Sequence, residues 1–287
     1  MERLTMKKSS KTIYTLILFI ALGTFLFSGY KLLAIRQQYR TDAQVYTDLS
    51  DKYSTTQEPV SITMSTPKPK MLHIEDPGEN EKLKTHDVNT EVSLDKTAPD
   101  FTALKSEVNE EIIGWIYYPD TNPLIDYPIV QHDGDNRYYL KHNIYNQYTD
   151  AGSIFICDYN KPDFSDDNTV IYGHHLYNGT MFGNLKKWLD KEWFEAHPVF
   201  YIFTDETLYQ ISPFAYVITP DESYIYTPNF ASIEEKRAWT EQVIEESAMS
   251  IDYEFMPGDK FITLSTCMYN FENARGVLIG YIIPVEI

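Results

Sequence analysis

The sequence predicts a mainly β fold with peripheral helices, preceded by a single N-terminal transmembrane helix. Eight short segments rich in β-branched and aromatic residues are separated by polar turns, which is typical of a closed or nearly closed barrel. Residues 13–30 form an 18-residue stretch without a charged side chain. A third signal, Ser232 with Glu235 three residues later, marks the start of a helix near the C-terminal end of the chain.

The predicted elements of the globular part follow one another from residue 98 onward. Phe101, Leu104 and Val108 indicate a short helix. The helix that starts at Ser232 lies in a long insertion before the seventh strand, where we expect it to cover an open edge or face of the barrel. Strands are predicted at residues 114–118, 125–130, 153–157, 169–172, 199–203, 208–218, 260–266 and 277–283.

The N-terminal segment favours an uncleaved membrane anchor over a secretory signal peptide. A helix of 18 residues, at about 1.5 Å per residue, spans roughly the hydrocarbon core of a bilayer. The apolar run is longer than a usual signal core, and Lys31 follows it instead of a small-x-small cleavage site. Three lysines between residues 7 and 11 favour an N-terminus inside the cell, although Lys31, Arg36 and Arg40 lie on the other side.

Composition then divides the chain into four predicted regions. Residues 1–12 form a basic cytoplasmic tail and residues 13–30 the transmembrane anchor. Residues 31–97 form an extracellular stalk, which can begin as a helix up to about residue 50 and continues in a segment rich in Thr, Ser, Pro, Glu and Lys. Residues 98–287 form the folded domain.

The charge is distributed unevenly and argues against a nucleic-acid partner. Residues 1–40 contain seven Lys and Arg residues and one acidic residue, Glu2, which gives them a charge of +6. Since the whole chain carries −18, residues 41–287 carry −24. A domain this acidic repels phosphate backbones but is compatible with a cationic or amine-bearing partner. Acidity of this kind more often serves solubility alone.

One predicted strand ends in a candidate nucleophile. The segment KFITLSTC, residues 260–267, places Cys267 where an apolar stretch gives way to a polar loop, so that a rigid strand holds its sulfur within reach of a substrate. Far upstream, an apolar strand and a glycine lead in the same way to His174, and Arg275 follows the cysteine by eight residues. These three residue types can supply a nucleophile, a proton carrier and an oxyanion partner.

Each of these residues also has an ordinary structural role. A cysteine that ends a strand is by itself more often a buried structural thiol. Arg275 cannot be deprotonated at useful pH, so it is a poor base but a good fixed hydrogen-bond donor. A turn between adjacent antiparallel strands would bring it beside Cys267. Its alternative role is a surface salt bridge, for instance with Glu272.

These residues resemble the active-site strand of the sortases, the cysteine transpeptidases of Gram-positive cell surfaces. Further segments resemble the class B branch, occur in the family's order and together extend over residues 98–287. They are FxxL at residues 101–104, GWI at 114–116, IDYPIV at 125–130, GSIF at 152–155, NTVIYGH at 168–174 and MFG at 181–183.

The resemblance implies a sortase-type eight-stranded β-barrel and a membrane-anchored enzyme with its catalytic domain outside the cell. Such an enzyme cleaves a C-terminal sorting motif, of the NPxTx or LPxTG kind, in a secreted protein through a thioacyl intermediate. It then transfers the new carboxyl to an amine of a peptidoglycan cross-bridge or its lipid-linked precursor, or to a pilin lysine. The resemblance assigns catalysis to Cys267, His174 and Arg275.

Substrate contacts are predicted at two places. In the family, the loop before the long helix lines the groove for the sorting peptide, which makes Tyr224 and Ile225 candidates, although both can equally be packing residues. Ser265 and Thr266 precede the nucleophile and are candidates through hydroxyl or main-chain groups. Their alternative role is strand pairing, which Thr favours.

The remaining titratable groups indicate neither a metal site nor a disulfide framework. The family motif selects His174 over the adjacent His175, which would point to the other face if the strand continued. The other histidines show no metal-ligand spacing, so we expect no cofactor and no metal, although a structural calcium would suit so acidic a surface. Cys157, in the strand-like run of residues 153–157, is predicted to be a small core residue. A bond between Cys157 and Cys267 would silence the proposed nucleophile, so the functional interpretation disfavours it, although the sequence alone leaves it open.

Two rival functions remain open at this point. A hydrolytic cysteine protease would use the same Cys–His pair with water as the acceptor. A surface adhesin on a similar barrel would have no catalysis, and Cys267 could then be replaced without consequence. Cys267, His174 and Arg275 together favour an enzyme.

Overall fold

The computed structural model describes residues 2–53, 61–64, 90–94, 96–119, 121 and 125–285. The chain divides into two compact units, Met1–Val45 and Tyr46–Ile287. The predicted anchor lies within helix α1 (Glu2–Tyr53). Its large apolar side chains are exposed, Phe19 and Phe25 by 66% and 74%. Of the described helices, this one is long and apolar enough to cross a membrane, by length and composition.

Eight strands of the second unit form the predicted barrel. Their order around it is β11, β10, β6, β5, β4, β3, β7 and β8, and the pairing of β8 with β11 closes the ring. A short ninth strand of the same sheet, β9, pairs with β8, and β1 and β2 form a separate two-stranded sheet. The strands are β1 (Ser61–Met64), β2 (Thr90–Ser93), β3 (Ile112–Tyr118), β4 (Ile125–Val130), β5 (Ile154–Ile156), β6 (Asn168–Tyr172), β7 (Phe200–Phe203), β8 (Leu208–Pro220), β9 (Met249–Ser250), β10 (Phe261–Cys267) and β11 (Ala274–Val285).

The eight predicted strands and the two helices predicted after residue 98 are confirmed, with their ends displaced by at most three residues. The sequence pattern did not predict the short strands β1, β2 and β9, helix α3 or the 3₁₀ helices. These elements are too short to show a clear hydrophobic period. After α1, the described helices are α2 (Phe101–Glu107), α3 (Lys191–Ala196) and α4 (Ile233–Glu245), of which α2 and α4 are the two predicted ones. Three 3₁₀ helices lie at Tyr138–Leu140, Leu185–Leu189 and Tyr224–Tyr226.

Helix α4 covers one face of the barrel, as expected from its capping box. The Glu235 amide donates to the Ser232 hydroxyl at 3.1 Å, and the Ala231 amide donates to the Glu235 carboxylate at 2.8 Å. Two turns on, Trp239 and Val243 join a buried cluster with residues of β8, β10 and β11. This packing fixes the outer face of the strands that carry the candidate site.

The end of α1 packs within the second unit. The Tyr46 hydroxyl donates to the carbonyl of Gly152 at 3.1 Å. The Ser50 hydroxyl and the Lys96 ammonium both bind the Asp126 carboxylate on β4. These contacts involve residues of the segment predicted to be a stalk. The domain boundary at residue 98 stays a prediction.

Candidate active site

Cys267 and Arg275 lie opposite one another on neighbouring antiparallel strands. Cys267 ends β10, and the register of β10 and β11 pairs it with Arg275. The Met268 amide donates to the Ala274 carbonyl at 2.8 Å and closes the loop between the strands. Because directly opposed residues of an antiparallel pair share a face, the guanidinium and the thiol lie on the same side of the sheet. Cys267 is partly exposed.

The guanidinium of Arg275 is held by main-chain and carboxylate oxygens. It donates to the carbonyls of Asn273 and Ala274, each at 3.2 Å, and to the Asp221 carboxylate at 3.4 Å. Asp221 follows β8, in which Thr219 is paired with Arg275. The ion-pair partner is therefore Asp221 from a neighbouring strand and not Glu272 from the same loop. The Arg275 side chain keeps 24% of its surface exposed.

The segment that carries His174 is hydrogen-bonded to the other edge of β10. Strand β6 runs parallel to β10, the Gly173 amide donates to the Ser265 carbonyl at 3.1 Å, and the Thr266 hydroxyl donates to the Gly173 carbonyl at 2.7 Å. A Cβ at Gly173 would lie 2.5 Å from Ile154 and 2.7 Å from a ring carbon of Phe182. Glycine is thus required for His174 to follow the strand so closely.

A main-chain carbonyl orients the His174 ring. The distance from His174 Nε2 to the carbonyl oxygen of Leu140 is 2.7 Å. A carbonyl can only accept, so Nε2 carries the proton in the neutral imidazole and Nδ1 keeps a lone pair. Burial lowers the pKa of His174, and the bond to Leu140 opposes that shift. The sequence could not indicate this partner, because the orienting group belongs to the backbone.

The turn that carries Leu140 is itself anchored by buried polar and aromatic contacts. The Tyr139 hydroxyl donates to the Glu111 carboxylate and accepts from the Asn109 amide at 2.8 Å. The Tyr138 ring is stacked between the rings of two histidines, His132 at 4.1 Å and His142 at 4.0 Å. Two hydrogen-bond partners and two stacked histidine rings thus fix the position of the 3₁₀ turn Tyr138–Leu140.

Gly152 leaves the space that the His174 ring and the turn occupy. Its φ is +61°, a conformation that favours glycine. A Cβ there would lie 2.6 Å from the Tyr139 carbonyl oxygen, 2.9 Å from that of Leu140 and 3.0 Å from His174 Cδ2. Any side chain at residue 152 would therefore displace the group that orients the imidazole.

The second histidine, His175, lies beside the main chain of Cys267. Strand β6 ends at Tyr172, so the alternation that would send the two rings to opposite faces does not apply. Burial lowers the pKa of His175, the Lys186 ammonium lowers it further, and the Cys267 main chain opposes the shift. The His175 ring also contacts the Tyr269 ring edge-on, with centroids 5.8 Å apart. Both imidazoles are therefore close to the residues around the nucleophile.

The predicted substrate-contact residues occupy different environments. Ser265 shares a hydrogen bond of 3.0 Å with the hydroxyl of Tyr226, and Thr266 is bound to Gly173. Tyr224 donates to the Glu246 carboxylate at 3.0 Å and is partly exposed. Ile225 is fully buried in the cluster beneath α4, which matches its alternative role in packing. Their contacts with substrate remain predictions.

Two tyrosines that sequence reasoning did not single out lie on this face. Tyr226 and Tyr172 have ring centroids 6.0 Å apart, and Tyr172 is paired with Ser265 across β6 and β10. Burial raises the pKa of Tyr226 to about 12, so its hydroxyl stays protonated beside Ser265. The sequence could have indicated Tyr172 as the last residue of the predicted strand 169–172, which leads directly to Gly173 and His174.

Cys157 lies apart from the chemistry of the candidate site, and the acidic side chains form no metal site among the described residues. Both cysteines are free thiols. Cys157 is buried, accepts a hydrogen bond from the Asn136 amide at 3.0 Å, and has its pKa raised by burial. Among the described residues, no group of three or more His, Cys, Asp and Glu side chains is arranged to hold a metal ion.

Comparison with known proteins gives consistent matches. The family model of the sortase domain matches residues 116–282. Sortase B of Listeria monocytogenes is 36% identical over 179 residues, which are 62% of this chain and 72% of that protein. A Staphylococcus aureus sortase B–substrate complex superposes with a TM-score of 0.60 at 26% identity, over 65% of this chain and 85% of that one. Bacillus anthracis sortase B in complex with AAEK1 gives a TM-score of 0.63 at 29% identity, over 86% of this chain and 99% of that one.

Proposed function

The chain belongs to the sortase family as a class B member, a cysteine transpeptidase of cell-surface proteins, and from that premise we propose the chemistry of its site. Cys267 is the nucleophile, His174 carries the proton and Arg275 stabilises the oxyanion. The observation that carries this assignment is the register: Cys267 is opposite Arg275 on one side, and Gly173–His174 is hydrogen-bonded to the other edge of the same strand.

Acylation follows from these positions. Nδ1 of neutral His174 takes the proton of the Cys267 thiol, and the sulfur attacks the carbonyl carbon of the scissile peptide. The oxygen of the tetrahedral intermediate gains a negative charge, which the Arg275 guanidinium stabilises through fixed N–H donors. The carbon–nitrogen bond then breaks, the imidazolium gives its proton to the leaving amine, and a thioester on Cys267 remains.

Deacylation runs the same steps with a new amine. The acceptor nitrogen attacks the thioester carbonyl, and His174 accepts its proton. Collapse of the second intermediate forms a peptide bond and releases the sulfur, which recovers the proton from His174. Water in place of the amine would give hydrolysis, so the choice of acceptor decides between transpeptidase and endopeptidase activity.

The donor is proposed to be a secreted protein with a C-terminal sorting motif. Ser265, Thr266, Tyr224 and Ile225 are the candidate contacts, and Tyr226, bonded to Ser265, extends that face. The acceptor is an amine of a peptidoglycan cross-bridge or its lipid-linked precursor, or a pilin lysine. The helix that contains residues 13–30 would anchor the enzyme, with its N-terminus in the cytoplasm and the catalytic domain outside.

Mass spectrometry of the full chain in detergent micelles tests this function. The enzyme is incubated with peptides of the NPxTx and LPxTG kinds and a primary amine. We expect an acyl adduct on Cys267 and an amine-ligated product with the wild type, and neither with Cys267→Ala. Cleavage without ligation at any amine concentration would instead indicate the protease. Adduct formation by Cys267→Ala would exclude Cys267 as the nucleophile.

The two histidines provide a matched pair of variants. We expect His174→Ala to abolish adduct formation, whereas His175→Ala keeps it, because Nε2 of His174 donates to the Leu140 carbonyl and leaves the lone pair of Nδ1 for the thiol proton. The reverse result would transfer the proton-carrying role to His175. Cys157→Ala serves as the control for loss of a thiol outside the site and should form the adduct at the wild-type rate.

A further inference from the structure

Two exposed tyrosines lie beside the candidate site and have no role in the chemistry above. Tyr177 and Tyr269 are 86% and 67% exposed. Their rings are nearly parallel, at 4°, with centroids 6.1 Å apart. Tyr177 follows the histidine pair by two residues, and Tyr269 follows Cys267 by two residues. We call these two residues the tyrosine pair.

Ring contacts connect the tyrosine pair to the nucleophile. Tyr269 contacts the ring of His175 edge-on at 5.8 Å. The same His175 ring lies against the main chain of Cys267. A continuous line of contacts therefore leads from Cys267 through His175 to Tyr269 and Tyr177. The loops that hold the catalytic groups thus present two large aromatic faces to solvent side by side, and adjacent exposed apolar faces can mark a ligand-binding site.

The opposite flank of Cys267 is built differently. Ser265, two residues before the nucleophile, is buried and bonded to Tyr226, which packs against Tyr172. The tyrosine pair, in contrast, lies beyond the end of β10. A peptide that crosses Cys267 would therefore have one part on the Ser265 side and the other on the side of the tyrosine pair.

The reaction itself assigns ligands to the two flanks. After acylation, the acyl part stays attached to Cys267 and keeps its side occupied. The leaving amine vacates the other side, and the attacking amine must approach from there, because deacylation reverses the path of acylation. With the candidate donor contacts around Ser265, the vacated side is the one with the tyrosine pair.

We propose that the tyrosine pair binds the acceptor, a peptide that ends in a primary amine, and holds it for attack on the thioester. This assignment rests on the proposed function. Aromatic faces stack on peptide planes and on the carbon atoms next to an ammonium group, and phenol hydroxyls can bond main-chain carbonyls. Residues 41–287 carry a charge of −24, since residues 1–40 carry +6 of the total −18, and this acidity attracts an ammonium-bearing peptide. A covered tyrosine pair also keeps water from the thioester.

The test separates acceptor binding from the steps before it. The full chain in detergent micelles receives a donor peptide that the wild type cleaves. Three rates are measured: release of the leaving peptide, ligation to triglycine or Nα-acetyl-lysine amide, and transfer to hydroxylamine. Hydroxylamine attacks thioesters but is too small to contact both rings. The variants are Tyr177→Ala/Tyr269→Ala and Tyr177→Phe/Tyr269→Phe, with Tyr145→Ala as the control at a partly exposed tyrosine near Tyr53.

For the double alanine variant we expect the peptide-amine concentration at half-maximal ligation to rise about tenfold. Release of the leaving peptide without added amine, and transfer to hydroxylamine, should stay within about twofold of wild type. The double phenylalanine variant keeps the rings and should resemble the wild type, as should Tyr145→Ala. Excess hydrolysis at a fixed peptide-amine concentration is the second expected sign.

Other outcomes overturn the inference. An equal loss in all three rates would mean that the rings support the loops or bind the donor. If the double alanine variant ligates peptide amines with the same concentration dependence as the wild type, the tyrosine pair is not the acceptor site. The same conclusion follows if the wild type transfers the acyl group to hydroxylamine but to neither peptide amine. Failure of the wild type to form a thioester is seen before any tyrosine variant is measured, and it would reject the proposed function itself.

Discussion

The two halves of the candidate site are held by different kinds of structure. Cys267 and Arg275 are directly opposite one another in a ladder of seven residue pairs between β10 and β11. His174 lies beyond the end of β6, and its ring is fixed by one carbonyl of the short 3₁₀ turn Tyr138–Leu140. The first half is positioned by repeated main-chain bonds, whereas the second depends on a few specific contacts.

This difference predicts how each half responds to substitution. A ladder of backbone hydrogen bonds does not depend on any one side chain, so changes at the Cys267–Arg275 half should act through lost chemistry and leave geometry intact. The His174 half depends on Gly152, Leu140 and the contacts of Tyr139. Small steric changes there should act through misplacement of the imidazole.

Among substitutions that keep both Cys267 and His174, the largest effect is expected on the half held by the ladder. Arg275→Ala removes the donor proposed for the oxyanion and should lower the rate of acylation by about 100- to 1,000-fold. The measurement is the rate of leaving-peptide release by the full chain. Alkylation of Cys267 by iodoacetamide should proceed at nearly the wild-type rate, because the role proposed for Arg275 begins only after the sulfur attacks.

Asp221→Asn is the matched control for Arg275. It removes the partner of an exposed ion pair and keeps the guanidinium, so acylation should change by no more than about fivefold. If alkylation of Arg275→Ala instead slows in parallel with acylation, the guanidinium acts on the thiolate and not on the oxyanion. Asp221→Asn as inactive as Arg275→Ala would show that the ion pair itself holds the arginine in place.

A smaller effect is expected on the half held by the turn. Gly152→Ala places a methyl group 2.6 Å from the Tyr139 carbonyl oxygen, 2.9 Å from that of Leu140 and 3.0 Å from the His174 ring. We expect acylation to slow by about tenfold or more, because the imidazole and its carbonyl must separate. Leaving-peptide release measures this effect, and the variant should also unfold more easily.

Gly134→Ala separates crowding from backbone strain. Gly134 also has a positive φ, +73°, but its Cβ position has no heavy atom within 4 Å. The two substitutions share the conformational cost of about 1 kcal/mol, and only Gly152→Ala adds the clash at the turn. Equal losses of acylation in both variants would contradict a positioning role for the space at Gly152.

The half held by the ladder is also the half that the sequence could predict. A strand that leads to Cys267, a short loop and Arg275 just before the next predicted strand at residues 277–283 together imply an antiparallel pair, and local pattern is sufficient for that inference. The eight strands of the barrel follow from the same local signals. The capping box of α4 is another, because all of its members lie within five residues.

Contacts between distant segments leave no local pattern, and the His174 half depends on such contacts more than the ladder half does. The carbonyl of Leu140 is 34 residues from His174, and every residue has a carbonyl, so no residue type marks it. Asp221 is 54 residues from Arg275, whereas the nearby Glu272 was the apparent choice. Local pattern left Ile225 equally a substrate contact or a packing residue, because the neighbours that bury it come from α4 and three strands.

The smallest expected effect concerns the protonation of His174. Burial lowers its pKa below the ordinary 6.5. The unfolded chain therefore takes up a proton near pH 6.5 that the folded chain does not, and stability contributed by neutral His174 is complete above pH 6.5 and declines as the pH falls toward the folded pKa. NMR titration of the imidazole nitrogens, assigned by comparison with His174→Gln, should give a midpoint below 6.5 with the proton on Nε2.

Gly152→Ala should change this titration in a predictable direction. Because burial is the larger influence on the His174 pKa and the Leu140 bond opposes it, a ring displaced toward solvent should titrate closer to 6.5. The chemical shift of Nε2 should also move away from the value of a nitrogen whose N–H donates to a carbonyl. An unchanged midpoint in a variant with slow acylation would mean that the methyl group acts elsewhere. A wild-type midpoint above 6.5 would contradict the buried neutral imidazole on which proton transfer from Cys267 depends.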